Sequence, residues 1–279
     1  MNFHEKPIIY TGAVHLYVTN INVSKQYYTE TIGFKILDES AQVISFTTDG
    51  ENPLLIIEQP DDITLKEPKK TGLYHYALLL PERKDLGAIL RHFAEKQVRI
   101  GAADHHVSEA LYLNDPDGHG IEIYIDRDPS MWKWTDDQVK MTTDPLDVDG
   151  LIQEAEGTTW EGLPANTLMG HIHLHVDHLQ NAQLFYEILG FNVTAHYPQA
   201  LFMSDGDYHH HIAINTWSGV NAEKPSPQSA RLKAYTLIYP DQATLDNVLA
   251  QLDDEVITEA DRYIVHDPAG NQLFLKVGN

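Results

Sequence analysis

Four segments of the chain repeat one alternating pattern, and that repetition limits its folding more than any other feature. The segments are Ala13-Val-His-Leu-Tyr-Val18, His75-Tyr-Ala-Leu-Leu-Leu80, His171-Ile-His-Leu-His-Val176 and Ala234-Tyr-Thr-Leu-Ile-Tyr239, and they begin 62, 96 and 63 residues apart. Period-two alternation predicts a strand with one buried face. The first copy continues with a helix-like NVSKQYYTETIG stopped at Gly33, then three short β-rich runs, FKILDE, QVISFTT and PLLIIEQ. The third copy repeats this with a helix stopped at Gly190, and Phe185-Tyr186 echoes Tyr27-Tyr28. The second and fourth copies share helices near 84–96 and 241–252 and an Asp-Pro-x-Gly turn between two closing strands. Each copy reads as βαβββ. Such a unit leaves a curved sheet face exposed, so it needs a second copy to cover it.

The length of 279 residues suits about two domains. Along the chain these are a first pair of modules at 1–128, an acidic linker at 129–166 and a second pair at 167–279. Trp132, Trp134 and Trp160 in the linker predict that it packs against the body of the protein, since flexible linkers are poor in aromatics. WSGVNAEKPSPQSA, between the third and fourth copies, reads as a crossing loop or a lid.

The copies differ in chemistry. Their first position holds His75 and His171 in the second and third copies, but Ala13 and Ala234 in the first and fourth. Seven residues after the turn aspartate stands Glu122 in the second copy and Phe274 in the fourth. One His-His-Glu set results. Two histidines and one carboxylate leave adjacent coordination positions open, which suits non-haem Fe(II); zinc, manganese and nickel stay open as alternatives. The chain has no cysteine, so any metal is held by nitrogen and oxygen. Sixteen histidines are many for this length, and they point the same way. A net charge of −22 repels nucleic acid and anionic membranes. The start MNFHEKPIIY has neither the basic end nor the apolar run of a secretory signal, and no apolar run has membrane-spanning length, so a cytoplasmic protein is expected.

Gly170-His171 with Val176-Asp177, the run Tyr208-His209-His210-His211-Ile212-Ala213, and Tyr112 before Pro116 and Glu122 together resemble the vicinal oxygen chelate superfamily (glyoxalase, bleomycin resistance protein and extradiol dioxygenase). Within it the chain is similar to type I extradiol dioxygenases of catechol 2,3-dioxygenase type, over nearly its whole length. The resemblance implies an α+β fold of four βαβββ modules forming two half-open β-barrels. It implies an oxidoreductase that opens a catechol or hydroquinone ring with O2 on Fe(II), with Mn(II) or another divalent ion as alternatives. The metal ligands would match His75, Glu122 and His171. His210 would match the histidine that handles protons, Tyr112 the tyrosine beside the substrate oxygen, and His105, or else His106, a histidine near the substrate.

The order of modules departs from the usual pattern. If the first paired with the second and the third with the fourth, His171 would be parted from His75 and Glu122. The second and third modules are therefore predicted to form the metal-site barrel, and the first and fourth a ligand-free one. A linker reaching up to about 3.3 Å per residue permits that crossing, as would exchange between two subunits of a homo-oligomer. One or two of His209, His210 and His211 are expected on a solvated edge, with His210 turned inward. His15 and His173, two residues past the ligand position on the same face, read as histidines that pack or support the ligands, Asp115 and Asp117 as turn formers, and Glu58 as a strand-end surface charge. Two other functions use this fold: a glyoxalase-like lyase or isomerase, which would want a second carboxylate near His210, and a metal-independent ligand-sequestering resistance protein.

Overall fold

A computed structural model describes residues 2–252, 256–259 and 261–278. Each copy of the repeat forms one βαβββ module. The first comprises β1 (Tyr10–Tyr17), α1 (Ile21–Gln26), β2 (Lys35–Glu39), β3 (Val43–Thr47) and β4 (Leu55–Glu58). The second comprises β5 (Gly72–Leu79), α2 (Arg83–Glu95), β6 (Gly101–Asp104), β7 (Ser108–Asn114) and β8 (Gly120–Asp126). The linker contains a short hairpin, β9 (Trp134–Thr135) with β10 (Gln138–Val139), and a helix, α3 (Val148–Glu154). The third module has β11 (Leu168–His175), α4 (Leu179–Ile188), β12 (Asn192–Tyr197), β13 (Ala200–Ser204) and β14 (Ile212–Asn215). The fourth has β15 (Arg231–Tyr239), α5 (Gln242–Leu249), β16 (Ile257–Glu259), β17 (Arg262–His266) and β18 (Gln272–Val277).

In every module the first strand runs parallel to the last, which requires a crossover, and the helix supplies it. Caps set the helix limits. Asn20 accepts from the backbone N–H of Asn22 and Val23 at the start of α1, and Asp241 accepts from that of Thr244 at the start of α5. At the other end, Gly33 and Gly190 adopt the left-handed conformation, with φ of +92° and +103°. Between α1 and Gly33 the chain continues through a π-helical turn over Tyr27–Ile32.

Two eight-stranded sheets result. One runs β12-β13-β14-β11-β5-β8-β7-β6 and joins the third module to the second; the other runs β16-β17-β18-β15-β1-β4-β3-β2 and joins the fourth to the first. The joining pairs, β11 with β5 and β1 with β15, are antiparallel. The predicted pairing of middle with middle and end with end is therefore the one the chain adopts, within a single chain. Segments 1–128 and 167–279 each contribute one module to each sheet.

One hydrophobic core spans both sheets. Buried tyrosines bolt them together: Tyr28, after α1, donates to Asp115 in the turn between β7 and β8, at 2.7 Å, and Tyr186 of α4 donates to Asp267 in the equivalent turn before β18, at 2.9 Å. Asp115 also accepts from the backbone N–H of Asp117 and His119, which confirms its turn-forming role. The linker packs as its tryptophans predicted. Trp132 is buried with Phe3 and Tyr208, and Trp160 lies on the main core. No described helix is long and apolar enough to cross a membrane.

Candidate metal centre

Three adjacent strands converge on one point. In the central sheet β5 lies between β11 and β8, and its Ala77 stands opposite His171 on one side and Glu122 on the other. His75, two residues earlier, projects from the same face. The methyl group of Ala77 leaves room for the larger side chains to meet. Gly170 allows the close approach of β11 here, since a side chain at that position would run into the Tyr124 hydroxyl. One ligand atom from each of His75, Glu122 and His171 lies within 4.8 Å of the other two. Glu122 Oε2 is 2.9 Å from His75 Nε2 and 3.1 Å from His171 Nε2, and the three residues are only 7%, 3% and 1% exposed in the order His75, Glu122, His171.

A divalent cation fits this donor set. His75 Nε2 is buried beside the carboxylate without an aligned hydrogen bond, an arrangement that a shared cation satisfies. Burial by itself would push the Glu122 carboxyl up, but the His171 and His75 imidazoles beside it hold it well below the usual carboxylate range. Burial pushes the His171 imidazole down to about 4, against the pull of Glu122. An ionised carboxylate beside a neutral imidazole is the protonation state that metal ligation requires.

His75 and Glu122 sit on the wall of a cavity of about 360 Å³, and His171 reaches Glu122 from beside it. Tyr112 lies opposite Glu122 in the β7–β8 pairing. His105 Nδ1 donates to the Thr142 carbonyl at 2.6 Å, so its Nε2, in the neutral ring, accepts from the Tyr112 hydroxyl at 2.5 Å. His105 thus lines the cavity, whereas His106 turns outward to pair with Asp144 at 2.9 Å. His210 also lines the cavity, its ring centre 4.1 Å from that of His171. Burial and the neighbouring His171 and His209 push its pKa well down.

One expectation needs correction. His209, His210 and His211 are all buried, none on a solvated edge, because the run passes under Phe3, Tyr208 and Trp132 before β14 begins. His173 lies beside the candidate ligands as expected: it lines the cavity, 5.0 Å from the His75 ring, and its Nε2 accepts from Asn215 Nδ2 at 2.9 Å. Glu58 ends β4 as a partly exposed charge, 2.6 Å from Lys233 Nζ and 3.0 Å from His15 Nε2. Sequence reasoning also missed Thr142, which orients His105 from the linker, and Trp217, which closes the cavity from the expected crossing loop.

Comparisons with known proteins bear on the family and the fold. A family model described as the glyoxalase/bleomycin resistance protein/dioxygenase superfamily matches residues 11–123. The chain is 44% identical over 242 residues to catechol-2,3-dioxygenase of Bacillus subtilis (strain 168), which covers 85% of either chain. It is 30% identical over 104 residues to biphenyl-2,3-diol 1,2-dioxygenase 3 of Rhodococcus globerulus, covering 36% of this chain and 55% of the relative. Glyoxalase I of Zea mays shares the fold, with a TM-score of 0.58 at 14% identity over 96% of this chain and 92% of that one. The chain belongs to the glyoxalase/bleomycin resistance protein/dioxygenase superfamily and, within it, to the extradiol dioxygenases, a class of oxidoreductases.

Proposed function

We propose that the chain opens the ring of a small uncharged catechol or hydroquinone beside its diol, using O2 and an Fe(II) ion held by His75, Glu122 and His171. The observation that carries this reading is the convergence of those three buried side chains, two of them, His75 and Glu122, on the wall of an aromatic cavity. Bound there, Fe(II) would supply Lewis-acid and redox chemistry toward a diol and dioxygen.

The chain's own residues do the rest. Tyr74, Tyr112, Phe202 and Trp217 offer flat apolar surfaces to a ring, and among the described residues the cavity wall includes no lysine or arginine. A diol bearing a carboxylate would lose hydration there without gaining a partner. Because the Tyr112 hydrogen is spent on His105, its oxygen is free to accept from a substrate hydroxyl. His210, kept neutral by burial, can take a proton from the second hydroxyl. Met141 and Thr142 bring the linker into the cavity wall and cover that side of it.

The likeness to catechol-2,3-dioxygenase favours an enzyme over a ligand-sequestering protein. A lyase or isomerase is disfavoured because the three-residue cluster contains one carboxylate, with His210 where a second would be wanted. Anaerobic purification, metal analysis and oxygen uptake with catechol and hydroquinone test the reading. The expected result is one iron per chain, uptake matched to substrate, and a yellow semialdehyde from catechol with both atoms of labelled O2 in the product. No iron and no uptake would overturn it.

A further inference from the structure

His209 has no part in the mechanism above, yet it is buried and bonded at both ring nitrogens. Its Nε2 lies 2.8 Å from Asp126 Oδ1, and its Nδ1 lies 2.7 Å from His210 Nδ1. A hydrogen bond between two imidazole nitrogens needs one protonated and one bare atom, and the ends of the chain of bonds decide which is which. The Asp126 carboxylate can only accept, so His209 carries its hydrogen on Nε2. In a neutral ring its Nδ1 is then bare, and the hydrogen between the two rings belongs to His210 Nδ1. His210 Nε2, on the other edge of that ring, is left with a lone pair.

We propose that Asp126 and His209 are positioning residues, which fix His210 in the tautomer that presents a bare Nε2 to the cavity. This rests on the dioxygenase reading, in which His210 receives the hydroxyl proton. With the opposite tautomer His210 would offer a hydrogen where the reaction needs an acceptor. The rings cannot turn to escape the assignment. His209 packs against Tyr208 at 4.0 Å and Trp132 at 5.3 Å, and His210 is held between His171 at 4.1 Å and Phe202 at 4.9 Å, all between ring centres. Thr194 anchors the segment by donating to the His209 carbonyl at 2.6 Å. Asp126 ends β8, the strand that also holds Glu122, so one strand supplies both a candidate ligand and the support of the proposed base.

The test begins with the wild-type protein loaded with diamagnetic Zn(II) and labelled with 15N-histidine. Two-bond 1H–15N correlations are expected to show His210 protonated on Nδ1 and bare on Nε2. A hydrogen on His210 Nε2 overturns the proposal, with no variant required. In the iron-loaded enzyme Asp126→Ala is expected to lower kcat about 10–100-fold, as loss of a group supporting an active-site imidazole does, while KM for catechol and metal content stay unchanged. Asp126→Glu is expected to recover part of the loss. An unchanged kcat in a folded Asp126→Ala protein, or a loss that follows metal content, also overturns it. Absence of oxygen uptake by the wild type would strike the dioxygenase reading instead, because the nitrogen signals report the tautomer without turnover.

Discussion

The central and outer sheets follow one register and hold opposite chemistry. His75 stands opposite His173 in the central sheet, as Ala234 stands opposite His15 in the outer one. Glu122 pairs with Tyr112 where Phe274 pairs with Ile264. Ala234, Ile264 and Phe274 form a small apolar cluster, with the Arg262 guanidinium 3.9 Å from the centre of the Phe274 ring. The outer sheet shows that the fold closes well with methyl, branched and phenyl groups at these positions. A buried carboxylate and two imidazoles are costly substitutes for such packing, so the fold does not account for their presence in the central sheet.

Changes at the ligand positions test this contrast most severely. His75→Ala and His171→Ala should each abolish metal binding, by more than about 100-fold in affinity, beyond the usual cost of losing a merely supporting group. Equilibrium dialysis checks this, and if only one variant loses the metal the two histidines do not share a site. His210→Asn should keep the metal and lower kcat by about 10²–10⁴, the range for loss of a general base, as measured by steady-state oxygen uptake.

The outer sheet should respond in stability and not in metal content. Phe274→Ala removes a nearly buried ring and should cost about 3 kcal/mol in urea unfolding, the lower end for a core phenylalanine, with the metal retained. Tyr112→Phe removes one hydrogen-bonding oxygen and should lower kcat/KM by about 10-fold, equivalent to about 1.4 kcal/mol. Its outer counterpart, Ile264→Val, should leave kcat/KM unchanged.

Acid should act on both sheets, and here the contrast is smallest. Burial and Lys233 push His15 down to about 4, against the pull of Glu58, and burial pushes His211 well down. Between that value and the ordinary 6.5 the unfolded chain binds protons that the folded chain refuses. Stability should therefore be fully present above pH 6.5 and decline as the pH falls toward 4. Urea midpoints across this range check the slope, and His15→Gln should make it shallower.

Much of this was legible in the chain. Alternation marked the strands, and the blanks at Ala13, Ala234 and Phe274 pointed to the pairing that the sheets adopt. Both signals are local or periodic, so they survive reading in one dimension. Asn215 and Asp126 escaped because their significance lies in neighbours far along the chain: Asn215 reads as the last residue of a strand until it is seen at Nε2 of His173. Thr142 carried no signal at all, since a carbonyl that orients His105 depends on where the linker lies and not on its side chain. The buried histidine run was misjudged because three adjacent polar residues look solvated unless the aromatics that cover them, from residues 3 and 132, are known.

The sequence by itself determined the four modules, which of them carry the candidate ligand residues, and hence which two were expected to meet. Those facts are written in residue identity and period, and pleating turns a period of two directly into a shared face. The tertiary structure alone decided which ring nitrogen of these histidines donates and which accepts. That property depends on hydrogen bonds with Asp126, Asn215 and Thr142, which packing brings to His209, His173 and His105 from distant parts of the chain.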